Sequence, residues 1–102
     1  MKIITICGSL KFTKEMMIEA QKLSLEGKCV LTPTFPVIEN LEINDLQLQF
    51  LKQEHLKRIE IADAILVLNK DNYIGESTKI EIEYAKSLNK EIIYYKENNS
   101  LK

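Results

Sequence analysis

The sequence has no tryptophan, one histidine, two cysteines, two prolines and three glycines in 102 residues. Each scarcity removes a class of protein. Cys7 and Cys29 have no Cys-x-x-Cys spacing and no set of partner histidines, so they supply too few ligands for a structural zinc site. Both sit in apolar, strand-like runs and read as buried free thiols. Imidazole chemistry is limited to His55. No apolar run approaches the roughly 18 residues that a membrane-spanning helix needs. There is no block of one charge sign: 14 basic and 15 acidic residues are mixed along the chain and leave a formal net charge of -1. A nucleic-acid polymer is therefore not an expected partner. Repeats and low-complexity segments are missing too. What is present is the composition of a globular soluble domain, 45% hydrophobic and 28% charged. Met1 leads straight into a strand-like run, which gives the expectation of a cytoplasmic protein without a leader peptide.

Hydrophobic period organises the chain. Residues 2–7 (KIITIC) are β-branched and almost continuously apolar, as in a strand covered on both faces. A helix follows over 12–25, with Met16, Met17, Ala20 and Leu23 at helical spacing and Gly27 placed to end it. Residues 28–31 form a short second strand, and 32–40, which hold both prolines, a loop. A long helix is expected over 41–62, with an apolar stripe of Leu48, Leu51, Ile59 and Ala62. The third strand spans 64–68, a loop 69–77, the last helix 78–88 and the fourth strand 91–95. This alternation predicts right-handed βαβ units. The fold class is α/β: a three-layer, flavodoxin-like or Rossmann-like sandwich on a four-stranded parallel sheet of order 2-1-3-4. One domain is expected over 1–96, with a polar tail at 97–102. Ligands of such sheets bind beyond the carboxyl ends of the strands, where the winding reverses. Here that is between strands one and three, inside the loops that start at Gly8, Thr32 and Asn69.

Glu81 is the first candidate for chemistry. On a wheel of about 100° per residue it falls within an arc defined by Ile80, Tyr84, Ala85 and Leu88. A carboxylate facing inward must be paired, hydrogen-bonded or set in a cavity. In a cavity it has the makings of a nucleophile or general base, and a place in the first helical turn would favour its charged form. Thr78-Lys79-Ile80-Glu81 also spells a capping box, in which Glu81 would fold back onto the Thr78 amide. Gly8, Ser9 and Lys11, directly after strand one, suit an anion, although Ser9 equally suits a helix cap. Gly75, Ser77 and Thr78 repeat that pattern after strand three with the same ambiguity. His55 lies on the stripe of Leu51 and Ile59, either as a core residue or as an acid or base. Phe35, between two prolines, would stack on a base or pin its loop.

Taken in order, Cys7-Gly8-Ser9-Leu10-Lys11, Ala62-Asp63-Ala64-Ile65-Leu66-Val67-Leu68, Glu81-Ile82-Glu83-Tyr84-Ala85 and Asn89-Lys90-Glu91-Ile92-Ile93 resemble the nucleoside 2-deoxyribosyltransferase superfamily, which includes the 2-deoxynucleoside 5-phosphate N-hydrolases. The resemblance implies that Gly8, Ser9, Lys11, Ser77 and Thr78 hold sugar and phosphate. It also implies that Glu81, matching the glutamate of the family's Glu-Leu-Gly-Tyr-Ala motif, attacks the anomeric carbon. Departures are visible. Glu83 replaces the family glycine, so a helix face is altered. The aspartate expected eight residues before Asp63 is His55. Gly75 lies further upstream than the family spacing, and the chain ends sooner after strand four than family transferases do.

The implied activity is hydrolysis or transfer at the N-glycosidic bond of a nucleoside or nucleotide. Glu81 would be the nucleophile and a protonated His55 the general acid. No metal or other cofactor and no membrane are expected; the partners would be the small molecule and a second copy in a homodimer. The alternative is a non-catalytic nucleotide-binding or sensing module of the same fold.

Overall fold

The computed structural model describes residues 1–96; the tail expected at 97–102 lies outside the described residues. Four parallel strands, β1 (Ile3–Cys7), β2 (Cys29–Leu31), β3 (Ala64–Val67) and β4 (Glu91–Tyr94), form one sheet of order β2-β1-β3-β4. The expected 2-1-3-4 order is the observed one. Register sets Ile4 beside Ala64 and Cys7 beside Val67, so β1 and β3 end level with each other.

Three helices connect the strands: α1 (Thr13–Leu25), α2 (Asp45–Ile61) and α3 (Glu76–Ser87). The two-residue period of the central strands sorts side chains between the faces. Ile4, Ile6, Ala64, Leu66 and Leu68 pack with Phe12 and Met16 on the α1 side. Cys7, Ile65 and Val67 pack with Ile59, Ile82 and Ala85, on the side of α2 and α3. Central strands apolar at nearly every position are what a sheet covered on both faces requires. The structure is the expected three-layer sandwich.

Polar contacts fix how the layers sit. Thr5 is fully buried in β1, and its hydroxyl donates to the Arg58 carbonyl of α2 at 2.7 Å. The Tyr84 hydroxyl of α3 donates to Glu60 of α2 at 2.8 Å. Asp63 accepts from the Ile3 amide at 2.7 Å, and its own amide donates to the Ile3 carbonyl at 2.8 Å. These bonds lock the start of β3 to β1. Gly27 ends α1 at φ 91°, in the left-handed region that glycine tolerates.

Several element readings need correction. α2 begins at Asp45, not Leu41, because Asn44 and Gln47 close a true capping box there (2.8 and 3.0 Å). Its apolar stripe is buried only in the second half: Ile59 is 0% and Ala62 2% exposed, against 46% for Leu48. α3 begins two residues before the expected Thr78. Its buried face is Thr78, Ile82 and Ala85, while Ile80, placed in the inward arc by the wheel, is 65% exposed.

Candidate active site

The earlier start of α3 decides the reading of Glu81. Gly75 occupies the N-cap with extended backbone and no side-chain cap, so Thr78 is the third helical residue and not the cap. Glu81 then lies in the second turn, beyond reach of a capping bond to the helix start. The capping-box reading and the first-turn reading both fail for that geometric reason. The Glu81 side chain, 18% exposed, instead faces His55 and Cys7.

A cleft of about 470 Å³ lies over the carboxyl ends of β1 and β3, within the range of small-molecule sites. Gly8 and Ser9 line it from the loop after β1, Pro33 and Thr34 from the loop after β2, and His55 and Arg58 from α2. Tyr73, Gly75, Ser77, Thr78 and Glu81 complete the opposite wall. The loops expected from Gly8, Thr32 and Asn69 are the ones that meet. A Cβ at Gly8 would come within 3.1 Å of Leu68 Cβ, so a side chain there would disturb the base of the cleft. Ser9 accepts weakly from the Lys11 amide at 3.3 Å while facing the cleft. The first turn of α3 contributes its wall at the positive end of the helix dipole.

Lys11 is the exception among the expected binding residues: it does not line the cleft. Its ammonium sits 3.3 Å from the centroid of the Tyr73 ring, held by that aromatic face. Phe12 meets the same ring edge-on at 6.0 Å. Phe35 packs into the α1-side core and pins its loop. Glu83, where the motif departs from glycine, is solvent-exposed and pairs with Lys86, so the altered helix face is the outer one.

The electrostatics favour neutral groups. Burial pushes the Glu81 carboxyl up to about 7, with a hydrogen bond from the Cys7 thiol pulling the other way. Burial, then the Arg58 charge, hold the His55 imidazole down to about 4; the Glu54 charge and the Ile6 carbonyl oppose this. Near neutral pH the site therefore favours the neutral imidazole over the protonated one. Burial and the nearby Glu81 charge raise the Cys7 thiol well above its ordinary range.

Cys7, His55 and Glu81 offer ligand atoms all within 4.8 Å of one another, a donor set that zinc accepts. As arranged it does not fit a metal. His55 Nδ1 lies 3.1 Å from the Arg58 guanidinium, which can only donate, so the ring proton is on Nε2 and its lone pair is lost.

Arg58, Thr34, Tyr73 and Cys7 join the site without having stood out in the sequence. Arg58 had a signal, since it stands three residues from His55 on one helix face. Tyr73 and Thr34 had none: each sits in an irregular loop whose course only the folded chain defines.

No protein-family model matches the sequence, and no curated protein does. Solved structures do. A 2-deoxyribosyltransferase from Bacillus psychrosaccharolyticus superposes with a TM-score of 0.71 at 20% identity, over 90% of this chain and 70% of that one. The fold is that of the 2-deoxyribosyltransferases. A second one, from Leishmania mexicana, gives 0.69 at 18% identity over 93% of this chain. A conserved protein from Enterococcus faecalis V583 gives 0.64 at 12% identity over the full chain and 67% of its own. The chain spans 64% of the length of the Leishmania 2-deoxyribosyltransferase. Among the described residues no helix is long and apolar enough to cross a membrane.

Proposed function

We propose that the protein cleaves the N-glycosidic bond of a nucleoside or nucleotide with Glu81 as nucleophile. The observation that carries the reading is the placement of the Glu81 carboxyl in the cleft, clear of its own helix start. A carboxylate oxygen of Glu81 bonds to the anomeric carbon as the C–N bond breaks and its electron pair leaves with the base. The neutral His55 Nε2–H supports the departing base by hydrogen bonding, the role a neutral imidazole fills elsewhere as an electrophile. The departing base takes its proton from solvent. Water, or a second base, then attacks the same carbon, releases the Glu81 carboxylate and gives up its proton to solvent. Gly8, Ser9, Ser77 and Thr78 hold the sugar or a phosphate. The named relatives of the same fold are 2-deoxyribosyltransferases, which supports this substrate class.

The test is release of free base from 2′-deoxyribonucleosides and their 5′-monophosphates, with mass spectrometry for a deoxyribosyl adduct on Glu81. No release by wild type, or equal release by Glu81→Gln, removes the proposal.

A binding or sensing module is the second reading, favoured by the neutral form of both Glu81 and His55. Ligand-induced thermal stabilisation without turnover would support it.

We also propose a homodimer. Leu46 and Phe50, one turn apart on α2, are 57% and 56% exposed, beside the exposed Val37, Ile38, Leu41 and Ile43 of the preceding loop. So many exposed apolar side chains within one stretch of the chain call for a partner.

A further inference from the structure

His55 Nε2 is buried without a hydrogen-bond partner, on a side chain only 8% exposed. Its nearest charged neighbour, Glu81 Oε1, is 3.7 Å away, too far for a bond. A polar atom left orphaned at that depth, on the wall of a cleft, is placed for a ligand.

Whether Nε2 is donor or acceptor follows from the other ring nitrogen. Nδ1 lies 3.1 Å from the Arg58 guanidinium. A guanidinium carries N–H donors and no acceptor, so Nδ1 accepts, and the proton of the neutral ring sits on Nε2. Arg58 is itself anchored. It donates to the Thr34 hydroxyl at 2.9 Å, pairs with Glu54 at 2.9 Å and holds the Thr5 hydroxyl on its carbonyl. A guanidinium fixed by a loop and a helix turn cannot easily leave Nδ1.

We infer that Arg58 is a positioning residue that holds His55 as a neutral Nε2–H donor, and that this donor selects ligands with an unprotonated acceptor beside Glu81. The acceptor would be N3 or N7 of a purine base. The ligand half rests on the glycosidic-bond reading; the tautomer half does not. The groups that face the ring are Arg58 and Glu54 from α2, Glu81 from α3, and the Cys7 thiol and Ile6 carbonyl from β1. An aspartate at position 55 would demand the opposite ligand atom, a donor.

Because His55 is the only histidine, the imidazole ¹⁵N spectrum of the intact protein reports this one ring. The wild type is expected to show a protonated Nε2 and an unprotonated Nδ1 at neutral pH. Arg58→Met, which keeps the stem and removes the donor, is expected to give a tautomer mixture and an upward shift of the ring's titration. Arg58→Lys should stay close to wild type. A wild-type ring protonated at Nδ1 overturns the inference, as does an Arg58→Met spectrum unchanged in both respects. Should Arg58→Met fail to fold, the wild-type tautomer alone decides.

The ligand half is read from kcat/KM on 2′-deoxyadenosine and its 3-deaza and 7-deaza analogues, each of which loses one ring-nitrogen acceptor. One analogue is expected to lose at least about tenfold in the wild type. His55→Phe should erase that discrimination, and His55→Gln, which keeps a donor, should retain part of it. Equal rates on all three substrates overturn the selection while leaving the glycosidic reading intact. Absence of release from any of them, with Nε2 seen protonated, overturns that reading and the selection together and upholds the positioning role of Arg58.

Discussion

His55 Nε2 and Glu81 Oε1 stand 3.7 Å apart across the cleft, one carried by α2 and the other by α3, and each is displaced toward its neutral form. The pair would be an ion pair if burial did not dominate. Desolvation is the leading cause of both shifts, so the site is arranged around two neutral, mismatched groups.

Opposite slopes of stability with pH follow. The His55 imidazole falls from 6.5 to about 4 on folding, so the unfolded chain binds more protons in that window and stability rises with pH across it. The Glu81 carboxyl rises from 4.5 to about 7, so the folded chain binds more protons and stability falls over nearly the same window. In the wild type the two effects largely cancel. Glu81→Gln should expose the rise and His55→Phe the fall, each by roughly 3 kcal/mol or less between pH 4 and 7. Urea unfolding midpoints across that range check this; parallel profiles for both variants would refute it.

Ionised Glu81 is the reactive form, so base release should climb with pH. Below the value of about 7 set by burial, kcat/KM is expected to rise about tenfold per pH unit and then level off. Glu81→Gln should lower it by at least about a thousandfold. Initial rates of base release across the range give the answer, and a flat profile from acid to neutral pH would contradict the assignment.

Gly8 is constrained by space. A Cβ there meets Leu68 Cβ at 3.1 Å and Met16 Sδ at 3.4 Å, both in the packed α1-side core. Gly8→Val should therefore destabilise the protein by about 1–3 kcal/mol, and Gly8→Ala by less, as read from denaturant midpoints. Ligand binding should weaken in both, because the same loop carries Ser9 into the cleft.

The exposed face of α2 can be tested by charge. Leu46→Glu with Phe50→Glu should convert a dimer to a folded monomer in sedimentation, since both side chains are more than half exposed within the single chain. A wild-type chain that sediments as a monomer at high concentration would dismiss the dimer.

The sequence carried the architecture because strands and helices here differ in period and length. The apolar runs of β1 and β3 need cover on both faces, and the helices between them enforce a parallel sheet. It also carried the inward direction of Glu81 and the loops around the cleft. What it left open was decided by residues far apart in the chain. The Thr78–Glu81 pattern spells a capping box, yet the box that forms is Asn44–Gln47. A cap motif shows that a bond is possible, while packing of Thr78, Ile82 and Ala85 on the sheet sets where α3 begins. The protonation of His55 was equally hidden, since desolvation and the Arg58 guanidinium act on it only once α2 lies against β1. Local periodicity is written in neighbouring residues; burial, and the charge states it enforces, exist only after distant segments have met.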